Sequence, residues 1–387
     1  PVVLKAAGYL IHHGPVTPQE RWVENSGYSP SALAAQIAAL VCAAAFARER
    51  GHQATAHYLE EYADFLDAHL EPWTVTTDGS LVPGIRRHFI RIHPADVRDP
   101  QPDEDVNHGV VELRNQPPGA STAFPAKDIV DAGFLELVRY GIRKPGDPLV
   151  EDSLRVVDAI LRVETPFGPG WRRYNHDGYG QREDGGPYQG WGYGHAWPLL
   201  TGERGHYELA AGRDVRPFIR AMEAFATQTR LLPEQVWVLP DRPKAHMRFG
   251  RPTGGAMPLA WAHAEYIQLV HSAADGQVVG LISAVADHFR TRRPAPPLQI
   301  WTFNRQVRSV STGSTLRVQA ASSFRLRWTG DEWQRAQDSD STPIGTGHHY
   351  VDIQVQPAQR APIRFTFFWT GVGRWEGQDF QVDTVQP

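Results

Sequence analysis

Two acids set beside indoles are the residues of this chain best suited to chemistry. Glu24 follows Trp22 in Thr17-Pro18-Gln19-Glu20-Arg21-Trp22-Val23-Glu24-Asn25-Ser26-Gly27-Tyr28-Ser29-Pro30, and Glu234 stands in Pro233-Glu234-Gln235-Val236-Trp237. Paired carboxylates flanking a cleft can hydrolyse a glycosidic bond, one as general acid on the leaving oxygen and the other as base on a water. A neighbouring indole offers a flat face on which a sugar ring can stack. Between the two acids lies Trp171-Arg172-Arg173-Tyr174-Asn175-His176-Asp177-Gly178-Tyr179-Gly180. There Arg173 and Asp177 either hold sugar hydroxyls by charged hydrogen bonds or brace the loop as an ion pair. Taken singly, each Glu reads as a solvated loop carboxylate; it is the pair that points to catalysis.

Other chemistries find less support. His176, His195 and His206 lack the His-x-x-x-His spacing or a Cys partner, so neither a transition-metal site nor a cofactor is expected. No Gly-x-Gly-x-x-Gly follows a strand and no Gly-x-Ser-x-Gly elbow occurs, which removes nucleotide-binding and serine-hydrolase readings. The lone Cys42 excludes an intramolecular disulfide and reads as a small buried hydrophobe among Val41, Ala43 and Ala44. A net charge of -4 gives no reason to expect nucleic acid or an anionic membrane as partner, so a neutral ligand fits better. No apolar run is read as reaching the ~18 residues that span a bilayer, and no secretory signal opens the chain. A soluble chain is expected, with its address unread.

The elements that position these residues read as helical hairpins joined by long loops. Ser29 and Pro30 cap and open a helix that continues from Ala32 to Arg50, which places Glu24 in the loop before a buried rod. A second helix carries Tyr58, Leu59, Tyr62, Phe65, Leu66 and Leu70 and closes at Pro72. Residues 72–129 read as an irregular excursion with a hairpin near Arg86 to Ile92. Ile129 to Ile142 with Pro148 to Val163, Arg204 to Ala211 with Asp214 to Thr229, and Met257 to Ser272 with Gly276 to Arg290 complete the pairs. The alternation of helix, long loop, helix and short turn implies a ring of hairpins whose long loops share one rim. About seven or eight helices are counted, short of a closed ring, and the first apolar segment reads as cut into. Past Arg292-Arg293-Pro294 the pattern changes to short alternating runs bounded by Gly, Asp, Ser and Pro. The expectation is a mainly α domain over residues 1–293 and a small β-sandwich over 294–387. In that sandwich Trp328, Trp333, Trp369 and Trp375 either bind ligand or simply pack.

Four ordered segments, Gln19 to Ser31, Arg173 to Tyr179, Ala196-Trp197-Pro198-Leu199-Leu200-Thr201-Gly202-Glu203-Arg204-Gly205 and Pro233 to Trp237, together resemble the bacterial glucoamylases and glucodextranases of glycoside hydrolase family fifteen. Trp369 and Arg374-Trp375-Glu376-Gly377 resemble the β-domain that follows the toroid in glucodextranase-type members. The resemblance implies a partial (α/α)6 toroid that removes glucose with inversion from non-reducing ends of α-glucans, with Glu234 as general base. It implies that Arg173, Asp177 and Trp197 surround the terminal glucose, and Trp22 is expected to bind substrate beside them as a stacking indole. The family's acid is the first Glu of a Trp-Glu-Glu triplet, here Trp22-Val23-Glu24, so Val23 holds that position and Glu24 matches the substrate-contacting second Glu. Val238 likewise replaces the Asp usual after Glu-Gln-Val-Trp. The alternative is a catalytically impaired fragment or a non-catalytic α-glucan-binding protein.

Overall fold

The computed structural model describes residues 2–291 and 297–386. Its helices are α1 (Val2–His13), α2 (Pro30–Glu49), α3 (Gln53–Thr74), α4 (Leu135–Arg139), α5 (Pro148–Leu161), α6 (Pro198–Ala210), α7 (Arg216–Phe225), α8 (Ala260–Asp275) and α9 (Ser283–Thr291). The domain boundary expected at 293/294 lies outside the described residues.

α2 and α3 form the central hairpin, and α2 also packs against α1, α4 and α9. α2 is rich in Ala and has Pro only at its first turn, so little opposes helix formation. Leu33, Ile37, Leu40, Val41 and Ala44 are all buried, as expected of a helix apolar on nearly every side. The expectation that no apolar run could span a bilayer is corrected here: α2 has 20 residues and a mean hydropathy of 1.8 over its best window. Two thirds of that window, 67%, is buried against the rest of the fold. Cys42 is half-buried rather than fully enclosed.

Several boundaries differ from expectation for local reasons. The Ser29 side chain makes no capping bond and instead meets the Ser31 hydroxyl at 3.1 Å. Pro72 does not close α3, which runs on to Thr74 with the proline in its last turn. The helix expected from Ile129 shrinks to Leu135–Arg139. Upstream of it Asp131 Oδ1 accepts from the Gly133 amide, and Asn175 Oδ1 accepts from the Val130 amide, so side chains take the bonds a helix would use. Gly276 adopts φ +68 and stops α8, which delays the next helix to Ser283. The hairpin near Arg86 to Ile92 reduces to a short ladder of Val75–Thr76 with His88–Phe89.

The C-terminal residues form two sheets. One has the order 309–311, 380–385, 363–369, 324–329, 337–340, and 374–375 also pairs with 363–369. The other has the order 342–344, 348–354, 315–320, 298–301. Trp301, Leu316 and Val318 from the second share one apolar cluster with Phe324, Leu326, Phe365 and Phe367 from the first. Alternation sends Arg317 and Gln319 to the other face of 315–320, towards α3. There Arg317 meets Glu61 at 2.9 Å, and Gln319 accepts from the Tyr58 hydroxyl. α8 and its following turn expose Trp261, Ile267, Val270, Val279 and Leu281, and α1 exposes Val2, Val3 and Tyr9.

Candidate active site

Three loops meet ahead of α2 and α6. The first, residues 17–27, is closed at its neck by Thr17 and Gly27, whose backbones exchange two bonds of 3.0 Å. The second, 171–197, is sewn to the third by a bond of 2.8 Å from the Val236 amide to the Ala196 carbonyl. The third is anchored by the Glu234 amide, which donates to the Ala256 carbonyl at 2.8 Å. Gly178 lets the second loop pass against residue 115, because a Cβ there would collide with the Asn115 carbonyl oxygen.

Glu24 sits at the centre of the first loop with only 8% of its side chain exposed. Its Oε2 accepts from Arg91 at 3.0 Å and from the Tyr174 hydroxyl. Its Oε1 accepts from Arg173 at 3.1 Å and from Asn115 Nδ2 at 3.3 Å. Four donors on one carboxylate fix its direction. Glu20 shares the fully buried Arg91 at 2.8 Å and accepts from the Trp22 amide at 2.8 Å. Arg173 also clasps Asp177 through two bonds of 2.8 Å. Burial alone would lower the Arg173 pKa, but Asp177 and Glu24 raise it, so the guanidinium stays charged.

Aromatic rings wall this charge. Trp22 and Trp197 are buried with ring centres 5.6 Å apart, and Trp261 on α8 lies 5.9 Å from Trp22. The Arg173 guanidinium stands 4.8 Å from the Tyr179 ring and 5.2 Å from the Trp22 ring. The Tyr179 hydroxyl donates to Glu234 at 3.3 and 3.4 Å. Burial pushes the Glu234 carboxyl above its ordinary pKa, and the Tyr179 hydroxyl and Arg173 partly oppose the shift. A raised carboxylate of this kind is a stronger base than a free one.

All six sequence candidates, Trp22, Glu24, Arg173, Asp177, Trp197 and Glu234, thus fall in one connected set. Arg91, Glu20 and Asn115 join the set without any signal of it in the sequence. Arg91 lies in a stretch whose pattern suggests a strand, and a lone Arg among Phe89, Ile90 and Ile92 carries no local signal of a distant carboxylate. Tyr174 and Tyr179 stood in the loop but gave no cue to their partners. Val23 is exposed and holds φ +60, and its amide donates to the Glu20 carbonyl at 2.8 Å. Behind the site, Asp131 accepts from the Trp22 indole at 3.1 Å, and Arg21 pairs with Glu203. Burial raises the Asp131 pKa to about 6 and that of Glu136 to about 7, with Arg21 opposing both shifts. Among the described residues no group of three metal-ligating side chains is found.

Flat rings around fixed, hydrogen-bonding charge suit an uncharged ring carrying several hydroxyls. Glycosyl hydrolases family 15 matches residues 1–271, and the chain belongs to that family. A glucoamylase from Clostridium sp. (strain G0005) is 42% identical over 280 residues, which is 72% of this chain and 37% of that protein. A bacterial glucoamylase crystallised in complex with acarbose is 39% identical with a TM-score of 0.66, over 74% of this chain and 39% of that one. This chain therefore spans well under half the length of either relative.

Proposed function

We propose that this chain carries the glucan site of an inverting, exo-acting α-glucoside hydrolase. In this reading Glu234 is the base that activates water, and Glu24, Arg173 and Asp177 bind hydroxyls of the terminal glucose between Trp22 and Trp197. The helical part is read as a portion of an (α/α)6 toroid and the two C-terminal sheets as a β-sandwich domain. The observation that carries the proposal is the continuous path from Glu24 through Arg173 and Tyr179 to Glu234, lined by indoles. Membership of a glycosidase family supports it.

Val23 supports a second reading, a glucan binder with little hydrolytic power. A side chain with no titratable group cannot protonate a leaving oxygen, and loss of that help costs ~10² to 10⁴ in rate. Glu24 is a poor substitute because its oxygens are already committed to four donors. Glucose release from maltose, isomaltose and dextran separates the readings when the chain is assayed beside Val23→Glu. The expected result is binding with very low turnover in the parent and a gain in the variant. Efficient hydrolysis by the parent, abolished by Glu24→Gln, would make Glu24 the acid.

A further inference from the structure

We propose that Arg305, in the C-terminal strand-rich region, is a positioning residue for the Glu24 loop and acts through Glu104 and Tyr28. The proposal deepens the glucan-site reading and, in its binding arm, rests on it. Arg305 is buried, and its Nε and one terminal nitrogen donate to the two Glu104 oxygens at 3.0 and 3.2 Å. Its other terminal nitrogen donates to the Ile300 carbonyl at 2.9 Å, which fixes the guanidinium to the preceding strand, 298–301. Glu104 accepts in addition from the Tyr28 hydroxyl at 2.9 Å and the Trp73 indole at 3.2 Å. The carboxylate is thus filled by four donors from three parts of the chain.

Tyr28 passes this hold to the site. It follows Gly27, the neck of the 17–27 loop, and its ring stacks on Trp73 at 4.6 Å. Gly27 and Tyr28 pair with Pro94 and His93, an approach so close that a Cβ on Gly27 would collide with the His93 carbonyl. Two residues before His93 stands Arg91, the buried partner of Glu20 and Glu24. A shift of Tyr28 would therefore move the neck against the segment that carries Arg91, and with it the direction of the Glu24 carboxylate. The segment before Glu104 is held on its far side as well, since Arg308 donates to the Gln101 carbonyl at 2.7 Å.

The test compares the parent with Arg305→Met, Arg305→Lys and Tyr28→Phe. Tyr28→Phe keeps the ring on Trp73 and removes only the hydroxyl, so it decides the question even if Arg305→Met does not fold. Amide exchange is read at Trp22, Val23 and Gly27, with strand 363–369 and α6 as references, and affinity for acarbose and maltose is read by calorimetry. Loop amides should exchange about tenfold faster in Arg305→Met and a few-fold faster in Tyr28→Phe, with Arg305→Lys between parent and Met and the references unchanged. Affinity should weaken in the same order. Loop amides at parental rates in Tyr28→Phe, or loop and reference amides rising together, would overturn the proposal. A parent that binds neither sugar would defeat the glucan reading instead, and the exchange data would still decide the role of Arg305.

Discussion

The Tyr179 hydroxyl donates to both oxygens of Glu234, at 3.3 and 3.4 Å. The same ring faces the Arg173 guanidinium, which bonds Glu24, so one aromatic residue stands between the two acids. A hydroxyl that donates to a carboxylate stabilises its charged form and lowers its pKa, here against a burial effect that raises it.

Tyr179→Phe should therefore raise the Glu234 pKa further. In its proposed role as base Glu234 works only when ionised, so the acid limb of the pH–rate profile should move to higher pH, with losses greatest below neutrality. Glucosyl fluoride is the suitable substrate, because a good leaving group needs little protonation. An unmoved acid limb would remove Tyr179 from control of this carboxylate.

Glu24→Gln should weaken both the fold and the site. The amide keeps one acceptor, and the buried Arg91 is left with Glu20 alone. Breaking one arm of a buried ion pair typically costs about 3 to 5 kcal/mol, reduced here because Glu20 remains. Urea unfolding should show a loss of roughly 2 kcal/mol, and calorimetry should show acarbose affinity down by about tenfold or more. Parental stability would mean that the four donors are satisfied without Glu24.

How far the site could be read from sequence follows from the range of its interactions. Glu24, Arg173, Asp177 and Glu234 were legible because each lies in a short loop segment of distinctive type order, and the Arg173–Asp177 pair is local, four residues apart. The partners of Glu24 come from 67, 91, 149 and 150 residues away, and no spacing rule reaches that far. The core helix α2 was legible because Ala, Leu and Ile fill it on every face. Ile129 to Phe134 misled because its apolar residues are buried at helical spacing, while Asp131 and Asn175 hold their backbone in another shape. The alternation at 315–320 marked a strand, but not that its polar face would meet Glu61 of α3.

Asp131 gives stability a distinctive pH dependence. Burial lifts its carboxyl from 3.8 to about 6 in the folded chain, so between those values the folded state keeps a proton that the unfolded state has lost. Stability from this group is complete below about pH 4, falls as pH rises, and is flat above about 6. A rise from 3.8 to about 6 corresponds to roughly 3 kcal/mol. Glu136 acts in the same direction up to about pH 7. Asp131→Asn should flatten the curve between pH 4 and 6 in urea titrations; an unchanged slope would place the pH dependence elsewhere.

Val23 combines a strained backbone with a side chain that cannot donate a proton. A β-branched side chain at φ +60 is a steric outlier, and left-handed backbone costs an L-residue roughly 1–2 kcal/mol. Asn tolerates that conformation, so Val23→Asn should stabilise the chain by about 1 kcal/mol in urea unfolding. Since the side chain is exposed, no lost core contact offsets the gain. Val23→Glu also removes the β-branch, and under the proposed function it supplies a carboxyl group at the position of the general acid. If that carboxyl reaches the leaving oxygen, turnover of maltose or isomaltose should rise by ~10² or more, whereas glucosyl fluoride should change little. An alkaline limb, absent from the parent, should enter the pH profile because the new acid must be protonated to act. A gain of equal size on glucosyl fluoride, or no alkaline limb, would show that Val23→Glu improves the site by relieving backbone strain and not by donating a proton.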